Sequence, residues 1–422
     1  MDAVLEIVKS INGFLWSFLL LILLCGTGVY FTFKLKFIQV RKFGKSFKMT
    51  FGGIKFGAKA GEDGMSSFQS LATAIAAQVG TGNLAGAATA IATGGPGAIF
   101  WMWISAFFGM GTIFAEATAA QKYKVRGTDG VITGGPVYYI QQGIKGKFGK
   151  FLAGAFALFI ILALGLFGIM VQSNSIGDSF KTAFGINPLI MGIIIAIVVF
   201  IIVLGGVSRI ASVTEKVVPF MALFYIIGSL VIVVMNYEFI IEALRLIVVT
   251  AFTPQAAFGA FVGSGVREAV RYGVARGLFS NEAGMGSTPH AHALAKVKHP
   301  CDQGLVAMMG VFIDTFVILT LTALVIITAV VKTGATGGSL GQKGIALTQF
   351  AFTDSFGLFG GVFIAICLLF FALSTIIGWY FFAEMNVKYL FGKGMVKIYA
   401  LLVGIFIVAG SMLEVDLVWE MA

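Results

Sequence analysis

Two short stretches concentrate the polar groups of an otherwise apolar chain. Ala77-Gln78-Val79-Gly80-Thr81-Gly82-Asn83-Leu84-Ala85-Gly86 lies in the middle of an apolar run from about Ser67 to Thr93, and Gly277-Leu278-Phe279-Ser280-Asn281-Glu282-Ala283-Gly284 lies in another. Gly80, Gly82 and Gly86 fall within two turns, which weakens helix propensity enough to predict a break. In lipid an orphan amide or carbonyl is costly, so a break survives only where protein, water or a ligand satisfies it. The chemistry on offer is binding. The half-helix after a break exposes N–H groups and a positive dipole end that suit an anion, while freed carbonyls suit a cation.

Four acids fall in apolar segments: Glu116, Glu282, Asp314 and Glu384. Insertion of such a group costs roughly 2.5 to 3.5 kcal/mol, so each is a functional candidate. Glu282 is the foremost because it adjoins Asn281 in the second break, the plain alternative being an ion pair with Arg276 or Arg271. Glu116 and Glu384 are expected at the cytoplasmic interface near span ends, and Glu282 or Asp314 would carry a coupled proton. His290, His292 and His299 cluster, but alternating residues point to different sides of a helix and nothing completes a metal site, so an interfacial role is expected. Cys25, Cys301 and Cys367 are far apart and read as packing residues. His-Glu-x-x-His and Gly-x-x-x-x-Gly-Lys motifs are absent, which argues against a membrane-embedded metal-dependent enzyme and against a nucleotide-driven pump. A passive small-solute channel stays open as an alternative.

The elements that must position these residues follow from composition. The 422 residues are 58% hydrophobic and 11% charged, with mean hydropathy +0.97, which indicates a polytopic membrane protein. The 55 glycines suggest close helix approach and broken helices. Ten segments are long and apolar enough to span a bilayer, near 13–33, 67–93, 97–121, 151–173, 186–206, 215–236, 256–288, 304–331, 357–384 and 396–413. Counted over alternate connections, Lys and Arg number 21 on one side and 5 on the other, so the crowded side is expected in the cytoplasm and the N-terminus outside, in a plasma membrane. The same placement explains the net charge of +10 without nucleic acid. No basic n-region precedes the first apolar run, and the N-terminus is expected to be retained. The stretch from Lys34 to Lys59 looks amphipathic and suited to the inner membrane surface, with Tyr237 to Phe252 a shorter counterpart outside.

Setting Ser66–Ala92 beside Ser264–His290, at an offset of 198, aligns Asn83-Leu84-Ala85-Gly86 with Asn281-Glu282-Ala283-Gly284. Five spans separate the two starts, so one copy enters from each side. An inverted repeat of this kind is common in secondary transporters, with the site at broken helices near the midplane. The stretches Val79 to Gly86, Gly94-Gly95-Pro96-Gly97-Ala98-Ile99-Phe100-Trp101-Met102-Trp103, Gly277 to Ser287 and Gly378-Trp379-Tyr380-Phe381 closely resemble the alanine or glycine:cation symporter family over nearly the whole chain. The resemblance implies cation-coupled uptake of small neutral amino acids, Na+ first and H+ as the alternative, with no obligate protein partner. It implies an all-α LeuT-type fold of the amino acid-polyamine-organocation superfamily: a 5+5 inverted repeat, one extra N-terminal helix, and discontinuous first and sixth core helices. Residues 1–66 would then hold the extra span and amphipathic segment, 67–236 the first repeat and 237–422 the second, whose last span is missing.

A zwitterion matches both ends of a broken helix. By that resemblance Thr81, Gly82 and Asn83 would hold the substrate carboxylate and carbonyls near Gly277, Phe279 and Ser280 its ammonium, with Gln78, Gly80 and Asn281 also in the substrate site. Ala76 and Val79 carbonyls with the hydroxyls of Ser374 and Thr375 would hold the cation, the plain alternative being hydroxyls bonded one turn back. Trp379 and Phe279 are candidate walls that exclude larger side chains. Gln172 and Asn174 either line the outer path or bond between helices.

Overall fold

The structure, a computed structural model, describes residues 13–15, 19–52, 54, 57, 64–127, 130–253, 265–334, 344–414 and 417–419. It is a helical bundle: α1 Leu20–Lys34, α2 Ile38–Arg41, α3 Phe43–Phe51, α4 Ser67–Gln78, α5 Ala87–Gly94, α6 Gly97–Lys122, α7 Pro136–Gly143, α8 Lys147–Phe184, α9 Pro188–Val203, α10 Gly206–Met235, α11 Ile240–Val249, α12 Val266–Asn281, α13 Pro289–Ala293, α14 Pro300–Thr333, α15 Ile345–Phe356, α16 Leu358–Phe391 and α17 Val396–Met412. A two-stranded hairpin, β1 Val125–Arg126 and β2 Ile132–Thr133, connects α6 to α7. Each of the ten expected spans overlaps helix among the described residues. Among the described residues, six helices are continuous, long and apolar enough to cross a membrane (α6, α8, α10, α14, α16, and Lys393–Met412, which includes α17), and α1 and α9 are shorter apolar helices. The two remaining spans are the broken ones. The start expected for the seventh, at 256, lies outside the described residues.

Local chemistry explains where the elements begin and bend. Ser66 and Gln69 form a reciprocal capping box that starts α4. Gly95, at φ 72°, and Pro96 reverse the chain between α5 and α6. Alpha-helical pitch widens to a π-turn at Gly82–Gly86, at Ala163–Gly168 inside α8, and over Phe312–Leu319 inside α14. Such turns gather at functional sites.

Small residues set how closely the helices pack. A Cβ at Gly273 of α12 would come within 2.4 Å of the Ala98 carbonyl oxygen of α6, so these two helices meet backbone to backbone. Large apolar side chains such as Ile190, Ile197 and Ile201 of α9 face outward, as a lipid-facing surface requires.

The segment after α1 departs from a simple surface helix. In α3 the small polar residues turn inward, with Ser46 Oγ donating to the Leu305 carbonyl at 2.5 Å, while Phe47 and Phe51 are exposed. Most residues between 53 and 63 lie outside the described ones. The fourth span runs to Phe184 rather than to about 173. Its polar stretch Gln172–Ser175 is buried by neighbouring helices, so low hydropathy there marks the protein interior and not the membrane edge.

Candidate functional site

The first break begins where α4 ends. Val79 leaves helical geometry, with φ −83° and ψ 92°. The Gly80 amide donates instead to Asn83 Oδ1 at 3.0 Å, and the Thr81 amide to Gln172 Oε1 at 3.2 Å. A Cβ at Gly80 would lie 2.4 Å from Thr375 Oγ1, and one at Gly82 would lie 2.9 Å from Ser280 Cα. Both glycines are therefore demanded by close approach. Gln78 Nε2 reaches the Asn281 carbonyl at 2.7 Å, so the two breaks touch. Thr81 Oγ1 and Gln78 Oε1 are buried beside this junction without hydrogen-bond partners. Buried polar atoms are normally satisfied, which makes this pair notable.

The second break falls after Asn281, later than expected. Gly277 lies inside α12, where it backs onto α6: a Cβ there would meet Ser105 Oγ at 2.9 Å and Met102 Cα at 3.3 Å. Its lack of a side chain serves helix packing on α6, one turn before the break. Glu282 ends the helix at φ 57°, and Gly284 and Gly286 follow at φ 90° and 75°. The freed amides of Gly284 and Gly286 donate to the two carboxylate oxygens of Glu116, each at 3.0 Å. Glu116 therefore holds the break and does not serve the interface. Asn281 Oδ1 accepts from the Ala283 amide at 3.1 Å, and its Nδ2 donates to Thr315 Oγ1 at 3.2 Å.

Asp314 joins the breaks to the π-turn of α14. Its carboxylate accepts from Asn83 Nδ2 at 2.7 Å, Ser280 Oγ at 3.0 Å and Thr315 Oγ1 at 2.8 Å. This hub was legible only as one acid in an apolar run.

The four expected cation ligands come together. Thr375 Oγ1 lies 3.0 Å from the Ala76 carbonyl oxygen, 3.4 Å from that of Val79 and 3.0 Å from that of Phe371. Ser374 Oγ lies 3.3 Å from the Ala76 oxygen and 2.9 Å from that of Phe371. The one-turn-back bonds to Phe371 coexist with these contacts. Each hydroxyl carries a single proton, so the cluster holds more oxygens than its hydrogens can bridge. An all-oxygen set of this kind suits a hard cation.

Trp379 and Phe279 meet edge to face, ring centroids 5.8 Å apart, and Trp379 Nε1 donates to Glu282 Oε1. The other Glu282 oxygen accepts from Ser287 Oγ. An ion pair with Arg271 or Arg276 is not what holds it: Arg271 lies over the Tyr272 ring and Arg276 over Trp419. Asn174 Nδ2 donates to the Gly410 and Leu413 carbonyls at 2.9 and 2.8 Å, bonds of the interhelical kind. Glu384 is buried in an ion pair with Lys388 because α16 continues to Phe391. His290 and His292 are buried and not interfacial. His290 stacks between Phe156 and Phe382, and His292 Nδ1 pairs with Gln303 Nε2 at 2.9 Å. Among the described residues no cluster of three metal-ligating side chains exists.

The sequence model of the Sodium:alanine symporter family matches residues 1–422. The chain belongs to that family. The symporter is 43% identical over 418 residues to the sodium/alanine symporter AgcS of Methanococcus maripaludis, covering 99% of this chain and 90% of that protein. It is 41% identical over 424 residues to the probable sodium/glutamine symporter GlnT of Bacillus subtilis, covering 100% of this chain and 85% of the other. Its fold matches MhsT, solved with L-phenylalanine, at TM-score 0.60 and 18% identity over 83% of this chain and 80% of that one. The symporter therefore has the LeuT-type fold expected from its sequence. It is a multi-pass membrane protein of a cation-coupled amino-acid transport family, and not an enzyme.

Proposed function

We propose that this symporter carries small neutral amino acids such as alanine and glycine into the cell with Na+, by alternating access across the plasma membrane. The observation that carries the reading is the junction of the two breaks beside an oxygen cluster. Gln78 bonds to Asn281, Gly82 abuts Ser280, and Ala76, Val79, Ser374 and Thr375 converge one turn away. The substrate carboxylate would take Thr81 Oγ1 and the amides that open the half-helix after Gly80. The ammonium would take Gln78 Oε1 and the carbonyls of Phe279 and Ser280 at the end of α12. Na+ would sit among the four oxygens and link α4 to α16. Because α4 and α16 belong to the two proposed halves, 67–236 and 237–422, an ion shared between them would couple binding to their relative motion. The same reading places the Lys- and Arg-rich connections in the cytoplasm and the N-terminus outside.

The test is radiolabelled alanine uptake into proteoliposomes under an inward sodium gradient and, separately, a proton gradient. Accumulation driven by sodium alone is expected. Accumulation driven by protons alone would overturn the ion assignment and turn attention to Asp314 and Glu282. Absence of accumulation under either gradient would overturn the symport reading.

A further inference from the structure

We propose that Glu282 is a positioning residue that sets the upper size limit of the substrate by fixing the Trp379 indole. The proposal deepens the amino-acid reading of the site and rests on it. Glu282 is wholly buried, and its backbone sits at φ 57°. Glycine is the usual residue at such a helix end, and a larger side chain in this region is uncommon. Strain of this sort persists where surrounding structure and function retain it. Here the retained side chain bridges two elements. Its Oε1 accepts from Trp379 Nε1 of α16 at 2.5 Å, and its Oε2 accepts from Ser287 Oγ beyond the unwound turn. Both donors are neutral, so what the carboxylate transmits is position.

The indole is buried, and the hydrogen bond to Glu282 adds a directional tether to its packing. Trp379 lies against Gly168 in the π-turn of α8, where a Cβ would come within 2.6 Å of Cζ3, and meets Phe279 edge to face. A ring held by packing can change rotamer when a larger ligand presses on it, whereas one whose N–H is also tethered presents a fixed wall. A site for small apolar side chains needs such a wall, because larger ones gain more from burial and are rejected only by bulk. Ser287 and Glu282 flank the unwound turn, so the wall moves with the second break and the size limit is tied to its geometry.

The experiment measures, in proteoliposomes, the ratio of the leucine inhibition constant to the alanine half-saturation. Glu282→Ala is expected to lower the ratio tenfold or more. Trp379→Phe, which keeps an aromatic ring and removes the N–H, is expected to lower it likewise, with no further fall in the double variant. Glu282→Gln keeps the parental ratio, because its carboxamide oxygen accepts from the indole while its amide faces Ser287. The sodium half-saturation stays within twofold throughout. An unmoved ratio in Trp379→Phe, additive effects in the double variant, or a Glu282→Gln variant as permissive as Glu282→Ala would each overturn the proposal. Should Glu282→Ala not fold, Trp379→Phe and Glu282→Gln carry the same test. Failure of the underlying reading is distinct: the parent protein then takes up no alanine, which overturns both.

Discussion

At the residue scale, Gly80 and Thr375 form one steric unit. A Cβ at Gly80 would lie 2.4 Å from Thr375 Oγ1, so Gly80→Ala must displace the hydroxyl that faces the Ala76 and Val79 carbonyls. Overpacking a tight site costs about 1–3 kcal/mol, which corresponds to roughly 5- to 150-fold in binding. The expected result is a sodium half-saturation raised at least tenfold, both in Gly80→Ala and in Thr375→Ala. Thr375→Ser keeps the oxygen and should stay within threefold of the parent. Cation titration of alanine uptake checks all three, and an unchanged sodium dependence in Thr375→Ala would remove that residue from the ion site. Asn174→Ala serves as a contrast. Its two bonds go to α17 and the residue beyond it, so its loss should lower thermal stability by about 1–3 kcal/mol while sodium and alanine half-saturation hold.

At the scale of elements, the two breaks are closed by different devices. The first is satisfied by Asn83 in the same turn and by Gln172 of α8, while the second depends on Glu116 of α6, whose two oxygens accept the Gly284 and Gly286 amides. Leaving a buried donor unsatisfied costs about 1–3 kcal/mol, so Glu116→Ala exposes the fold to roughly twice that. We expect Glu116→Ala to lower the melting temperature in detergent more than Glu116→Gln, which keeps one acceptor. Equal melting temperatures in the two variants and the parent would deny Glu116 this role. The same elements show what was legible beforehand. Glycines grouped in apolar runs announced that helices break, and the family resemblance pointed to an oxygen cluster at Ser374 and Thr375. The partners of the breaks were hidden because Glu116 lies 168 residues from Gly284 and Asp314 lies 231 from Asn83. The second break was displaced in the reading because Gly277 looks like a hinge but serves close packing on α6. The end of the fourth span was misplaced for a related reason, since buried polar residues and interfacial ones have the same hydropathy.

Across the whole molecule, the proposed alternating access requires that packed faces come apart, and the face bearing the Lys- and Arg-rich connections carries a set of polar ties that such a motion would have to break. The segment after the second break is tied down along its length. Gln121 Nε2 lies within 2.5 to 3.2 Å of the carbonyl oxygens of His292, Ala293 and Ala295, and Ser70 Oγ donates to that of Ala291 at 2.7 Å. The backbone of Met65, just before α4, bonds to Leu294 and Lys296. Lys124, whose ammonium burial pushes below its usual value, bonds to Gln121 Oε1 and to the Ala295 carbonyl. Gln121 has two amide hydrogens, so it satisfies two of its three carbonyls at a time. Net contributions of about 0.5–1.5 kcal/mol per bond make its removal worth about 1–3 kcal/mol, roughly 5- to 150-fold in the balance between closed and open states. Gln121→Ala should therefore expose α4 from this face. A cysteine at Thr73, wholly buried against Thr214, in a background without Cys25, Cys301 and Cys367, reports the opening through a membrane-impermeant thiol reagent applied from the Lys- and Arg-rich side. Labelling at least fivefold faster in Gln121→Ala than in its parent is expected, with the difference narrowed by sodium plus alanine if the bound state is the closed one. Equal rates would show that this face is held shut by helix packing, with the polar ties contributing nothing to the balance.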